Sequence, residues 1–178
     1  MTVIKGDLSV KGINKMRKEL QKYKQSFEYK CKRYVERLLE EGVKVADAKV
    51  KESPLGRYVS ISTDITEEQM GCKGVLIARG DVKYSDKYEP FSTILAIEFG
   101  AGISYNPNPN PNASDLGFGV GTFPGQTHAM EDGWYFWDDT KQMWIYSKGV
   151  KATMPMYEAQ MKIVKIAKEV AKEVFNDG

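Results

Sequence analysis

Apolar and semi-polar residues recur along the first fifty positions at Ile13, Met16, Leu20, Tyr23, Phe27, Cys31, Tyr34, Leu38 and Val45. Steps of three and four place these side chains on one stripe of a long amphipathic helix. Ser9 or Asn14 is positioned to cap its start, and the helix is expected to end near Lys51, ahead of Pro54. Gly42 interrupts the stripe without a side chain to pack, so a bend is expected there. A helix of this length exceeds the roughly 11–12 residues of an average one, so part of it is expected to project beyond its own core.

From Arg57 the period changes to two. Val59, Ile61, Thr63 and Ile65 alternate with Tyr58, Ser60, Ser62 and Asp64, the pattern of a half-buried strand. Cys72–Arg79, with β-branched Val75 and Ile77, predicts a second strand, and the apolar run Ile94–Phe99 a third, stopped by Gly100-Ala101-Gly102. Trp134–Trp137 and Met143–Tyr146 flank the polar stretch Asp138–Gln142 as an aromatic β-hairpin. After Pro155, a residue suited to a helix's first turn, Met156, Ala159, Ile163, Ile166, Ala167, Val170 and Val174 follow a 3.6 period and predict a terminal helix lying on the sheet. The expected fold is a single α+β domain over residues 1–178, with an antiparallel sheet of about four strands packed by a long N-terminal helix and a C-terminal helix.

Residues 100–133 fit neither period. They contain Asn106-Pro107-Asn108-Pro109-Asn110-Pro111-Asn112 and then Gly117, Gly119, Gly121 and Gly125. Each proline fixes its own φ, removes a donor and restricts its predecessor, so helix and central strand are disfavoured. A loop this long is usually functional or disordered, and an extended arm ordered by another chain is the expectation.

Composition narrows the classes. Hydrophobic residues make up 42% and charged residues 28%, near the globular average, which argues against wholesale disorder. No apolar run approaches a membrane span, and Met1–Gly6 has no signal-peptide core, so a protein made and kept in the cytoplasm is expected. Two cysteines, Cys31 and Cys72, and the single His128 supply no zinc or redox spacing. Net charge is +2, unevenly spread: residues 1–51 carry 14 Lys+Arg against 7 Asp+Glu, residues 52–150 carry 7 against 13. A solvated helix face, contact with nucleic acid, and pairing of a basic helix with the acidic sheet of another copy all fit that split.

Signals for chemistry are sparse. Gly117-Phe118-Gly119-Val120-Gly121-Thr122 has a phosphate-loop look but lacks the strand, helix and lysine context. Asp139-Thr140-Lys141 has the acid-x-Lys form of some metal-dependent nucleases, yet turn chemistry accounts for acids at a hairpin tip. Glu98, alone in the apolar run Ile97-Glu98-Phe99, must reach water or a partner. Trp134, Trp137 and Trp144 concentrate indoles in one hairpin, as cores and interface hot spots both do. No catalytic residue, cofactor or metal ligand is assigned.

Three stretches, Leu55–Ile61, Ala96–Gly102 and Ala152–Ala159, together with the long charged helix before them, resemble the phage head-tail joining (tail-completion, minor tail component) family. The combination of Ile97-Glu98-Phe99-Gly100 with Pro155 and Ala159 carries the likeness, although Met156 stands where that family usually has Phe. The resemblance implies a non-enzymatic virion protein at the neck, assembling as a homo-oligomeric ring around passing DNA. Its implied partners are further copies of itself, a head connector or adaptor protein, and a tail tube or tail terminator protein. Glu98, Phe99, Gly100, Pro107, Pro109, Pro111, Trp134 and Trp137 are the expected interface residues. The alternatives are a tail terminator capping the tube, a DNA-binding module using the basic helix, and a metal-dependent nuclease using Asp138, Asp139 and Lys141.

Overall fold

A computed structural model describes residues 6–69, 71–83, 91–101, 110–116, 133–138 and 141–176. Pro107, Pro109, the glycines between 117 and 125, His128 and Asp139 lie outside the described residues.

Helix α1 runs Val10–Lys51, and the Ser9 hydroxyl caps it by accepting from the Gly12 amide at 3.0 Å. Lys49 and Lys51 in its last turn suit the negative end of the helix dipole. A short 3-10 turn, Gly56–Tyr58, then leads into β1 (Val59–Glu68), which pairs antiparallel with β2 (Gly71–Gly80) in the register Val59↔Gly80 to Glu68↔Gly71. This register places Ile61, Thr63 and Ile65 beside Ala78, Leu76 and Gly74. That face packs on α1. A Cβ at Gly74 would lie 2.4 Å from Val35 Cγ1 and 2.8 Å from Leu39 Cδ1, so the missing side chain lets strand and helix approach closely. Two further ribbons follow, β3 (Val82–Lys83) with β4 (Phe91–Ser92), and β5 (Trp134–Asp138) with β6 (Met143–Ser147).

The terminal helix α3 (Pro155–Asn176) lies antiparallel along the second half of α1. Phe175 at its end meets Phe27 and Tyr34 with ring centroids 5.9 and 6.0 Å apart, Arg37 pairs with Glu173 at 2.5 Å, and Ile163 packs over Gly42. Gly42 thus serves close helix packing. The expectation that α3 lies chiefly on the sheet is corrected, since its main partner is α1. Because α3 ends beside Phe27, the residues of α1 before it, about 25 Å of helix at 1.5 Å per residue, extend past their packing partner.

One further expectation is corrected. Thr93–Phe99 forms α2, not a third strand, with the Ser92 hydroxyl accepting from the Leu95 amide at 3.5 Å. Thr93, Ala96, Ile97, Glu98 and Phe99 are all buried and the half-buried Ile94 and Leu95 are apolar too, so the run shows no polar face whose period could separate strand from helix. Among the described residues the strands form three two-stranded antiparallel ribbons. The fold is therefore α+β, a long N-terminal helix and a C-terminal helix with small antiparallel sheets.

Candidate functional site

Ala96, Ala101 and Val150 form one buried cluster, with Leu55 against it, and Phe99 packs with Ala113 and Leu95 in another. Gly100 closes α2 at φ 80°, ψ 169°, a conformation open in practice only to glycine. There the chain turns into a bridge between Ala101 and Val150, whose amides and carbonyls exchange two 2.8 Å hydrogen bonds.

This turn aims Glu98 inward at the start of α3. Its carboxylate accepts from the Met156 amide at 2.9 Å, the Tyr157 amide at 3.0 Å and the Asn110 side-chain amide at 2.9 Å. Met156 and Tyr157 are the second and third residues of α3, so Glu98 caps that helix from a residue 58 positions earlier, taking the place of a local capping side chain. The Thr153 amide, donating to the Ile97 carbonyl at 2.9 Å, fixes the same approach. Burial pushes the Glu98 carboxyl above the usual range, the two backbone amides and Asn110 pull it down, and Glu158 nearby adds to the rise. Asn110 also accepts from the Asn112 amide at 3.0 Å, which anchors one end of the Asn-Pro segment on the core.

The expected interface residues therefore divide. Glu98, Phe99 and Gly100 are buried within the chain, while Pro111 is exposed. Trp134 lies in β5, and its side chain is outside the described residues. Trp137 is exposed. It packs edge-on with its cross-strand partner Trp144 at 5.7 Å and 73°, and Tyr135 packs with Tyr146 at 5.1 Å. Strand alternation puts these four rings on one face of the hairpin, a surface that the period-two pattern of 134–137 and 143–146 could have disclosed.

Asp138 is buried. It accepts from Arg57 Nη2 at 3.2 Å and from the Lys141 amide at 3.1 Å, as a turn-closing carboxylate does. Arg57 also lies 4.7 Å above the Tyr58 ring. The 81-residue separation of Arg57 and Asp138 left no sequence signal for their pairing. Residues 57–60 and 79–81 line an open groove of about 330 Å³. The two cysteines also converge, with Cys72 opposite Glu67, which holds Lys32, the neighbour of Cys31. Both thiols are free and half-buried. Among the described residues no group of His, Cys, Asp and Glu could hold a metal ion, and no helix is long and apolar enough to cross a membrane. No protein-family model, no curated protein and no solved structure matches the chain.

Proposed function

We propose that this chain is a structural, non-enzymatic subunit that joins or completes the tail of a phage or tail-like particle at the neck, as a ring of identical copies between head connector and tail tube. The observation that carries this reading is surface left uncovered on a single copy. The first half of α1 exposes Val10, Ile13, Leu20, Tyr23 and Phe27, and the β5–β6 hairpin exposes four rings on one face. Apolar surface of this extent on a soluble chain marks an interaction site. Support also comes from the stretches of family resemblance. Glu98, of the Glu-Phe-Gly segment, caps the helix that Pro155 begins, so two of them are halves of one interaction.

In a ring, identical copies meet through two different complementary faces. The β1–β2 ribbon pairs with no further strand among the described residues, and a neighbour's strand pair would complete a four-stranded sheet between copies. Native mass measurement of the purified full chain, alone and with particle extract, tests the reading. A closed oligomer, or incorporation into a neck complex, is expected; a monomer in both settings that turns over a substrate refutes it. A tail terminator is the variant of the same reading, separated by which particle accumulates when the gene is deleted.

One observation favours a second reading. Residues 10–30 carry seven Lys+Arg against two Glu, a helix half suited to a DNA backbone. Affinity for duplex DNA that falls steeply with salt, in a protein that stays monomeric, would select it.

A further inference from the structure

The two uncovered apolar surfaces lie at opposite ends of α1. One is the seam Ile13, Met16, Leu20, Tyr23, Phe27, whose steps of three and four give the 3.5-residue period of a helix that packs lengthwise on a partner. Val10, Ile13, Leu20, Tyr23 and Phe27 are 39–78% exposed, while Met16 is half-buried beside Gly6. The other surface is Tyr135, Trp137, Trp144 and Tyr146, 43–67% exposed. Arg57 holds this hairpin at the C-terminal end of α1 by pairing with Asp138 at its turn. Leu20 and Lys51 are separated by about 45 Å of helix at 1.5 Å per residue, so the two surfaces cannot cover one another within a copy.

We infer that the projecting half of α1 in one copy seats its apolar seam on the Tyr135–Trp137–Trp144–Tyr146 face of the next copy. The inference deepens the ring reading and rests on it. Three physical arguments select this occupant. Like charge opposes pairing of the seam with itself, because residues 10–30 carry seven cations against two acids. Those cations gain from indole and phenol faces, over which Lys and Arg are attracted to the ring quadrupole. Area also fits. Aromatic side chains each carry roughly 150–250 Å², so the exposed fractions leave about 450 Å² of ring surface, and Val10, Ile13, Leu20, Tyr23 and Phe27 leave a similar amount. With about 60% of an interface apolar, joining the two surfaces would bury about 1,500 Å², the standard size of a stable interface. DNA lying on the helix would satisfy its cations but leave both seam and indoles in water.

The contact is heterologous, each copy offering one seam and one aromatic face, and that dictates the test. A full-length Leu20→Asp/Tyr23→Asp variant keeps the hairpin, and a full-length Tyr135→Ser/Trp144→Ser variant keeps the seam. Each alone should be monomeric by native mass spectrometry. Mixed, they should form a 1:1 dimer and nothing larger, because only one intact seam and one intact face remain. The hairpin variant is checked by circular dichroism; as a route independent of its folding, benzoylphenylalanine in place of Tyr23 should photo-crosslink to residues 135–146 of another copy. Wild-type oligomers with either variant still assembling, or crosslinks confined to other segments, would overturn the docking and leave the ring reading standing. A wild-type chain monomeric both alone and in particle extract would remove the ring reading and the docking with it.

Discussion

Replacing Glu98 by alanine should remove more stability than any surface substitution in this chain. The side chain is 7% exposed and supplies the acceptors for the Met156 and Tyr157 amides and the Asn110 side chain, at 2.9, 3.0 and 2.9 Å. Loss of a helix cap costs about 0.5–2 kcal/mol, and each buried donor left without a partner costs about 1–3 kcal/mol. These losses overlap, because some donors reach water once the carboxylate is gone, so about 3–5 kcal/mol is expected in total. A domain of this size loses roughly 2–4 °C of Tm per kcal/mol, which makes the drop on the order of 10 °C. Urea denaturation should show a lower midpoint with an unchanged slope, as a change in stability without a change in exposed area requires. Glu98→Gln keeps the shape but turns an amide donor toward a backbone N–H, and should cost about 2 kcal/mol. Glu98→Ala and Asn110→Ala should be clearly non-additive in a double-mutant cycle, since the two side chains share a hydrogen bond. A Glu98→Ala loss below about 1 kcal/mol would refute the view that this carboxylate holds α3 onto α2.

The pH dependence of the same residue has a definite sign: its folded carboxyl is raised, chiefly by burial, so its protonated form favours the fold. The increment of stability linked to that raised value is fully present below the ordinary glutamate range and fades as pH rises through the raised value, while the helix cap itself remains, so the stability gap between wild type and Glu98→Gln should narrow over that interval. Gly74→Ala should destabilise by about 1–3 kcal/mol despite better strand propensity, because its Cβ meets Val35 Cγ1 on a stiff β-branched side chain; thermal unfolding reads this directly. Burial first, with Glu28 beside Cys31 and Glu67 beside Cys72, raises both thiols, so alkylation by iodoacetamide should be slower than for a free thiol near neutrality and should accelerate only in alkaline buffer. Arg57→Met should leave Asp138 buried without its cation and speed hydrogen exchange across residues 134–147 while α1 stays protected.

Much of the architecture was legible along the chain. The spacing from Ile13 to Val45 marks α1, the positions after Pro155 mark α3, and alternation from Val59 marks β1, because each element has one wet and one dry face that imprint a period. Ile94–Phe99 failed that test for a physical reason. Packed by α3, by β2 and by the residues at 110–113, it leaves only Ile94 and Leu95 half-buried, and because those two are apolar as well its run fitted strand and helix alike. The outward aromatic face was within reach, since alternation alone pairs Tyr135 with Trp137 and Trp144 with Tyr146.

Periodicity and composition by themselves determined the two long helices, the two hairpins, the Pro-rich interruption and the uneven charge, because these depend on residues close in sequence. Only the tertiary structure decided that Glu98 caps a helix 58 residues away, that Arg57 secures the aromatic hairpin, and that the part of α1 extending past its partner is the half before Phe27. Partners chosen across such separations follow from which surfaces the packed elements bring together, and a local pattern holds no record of that choice.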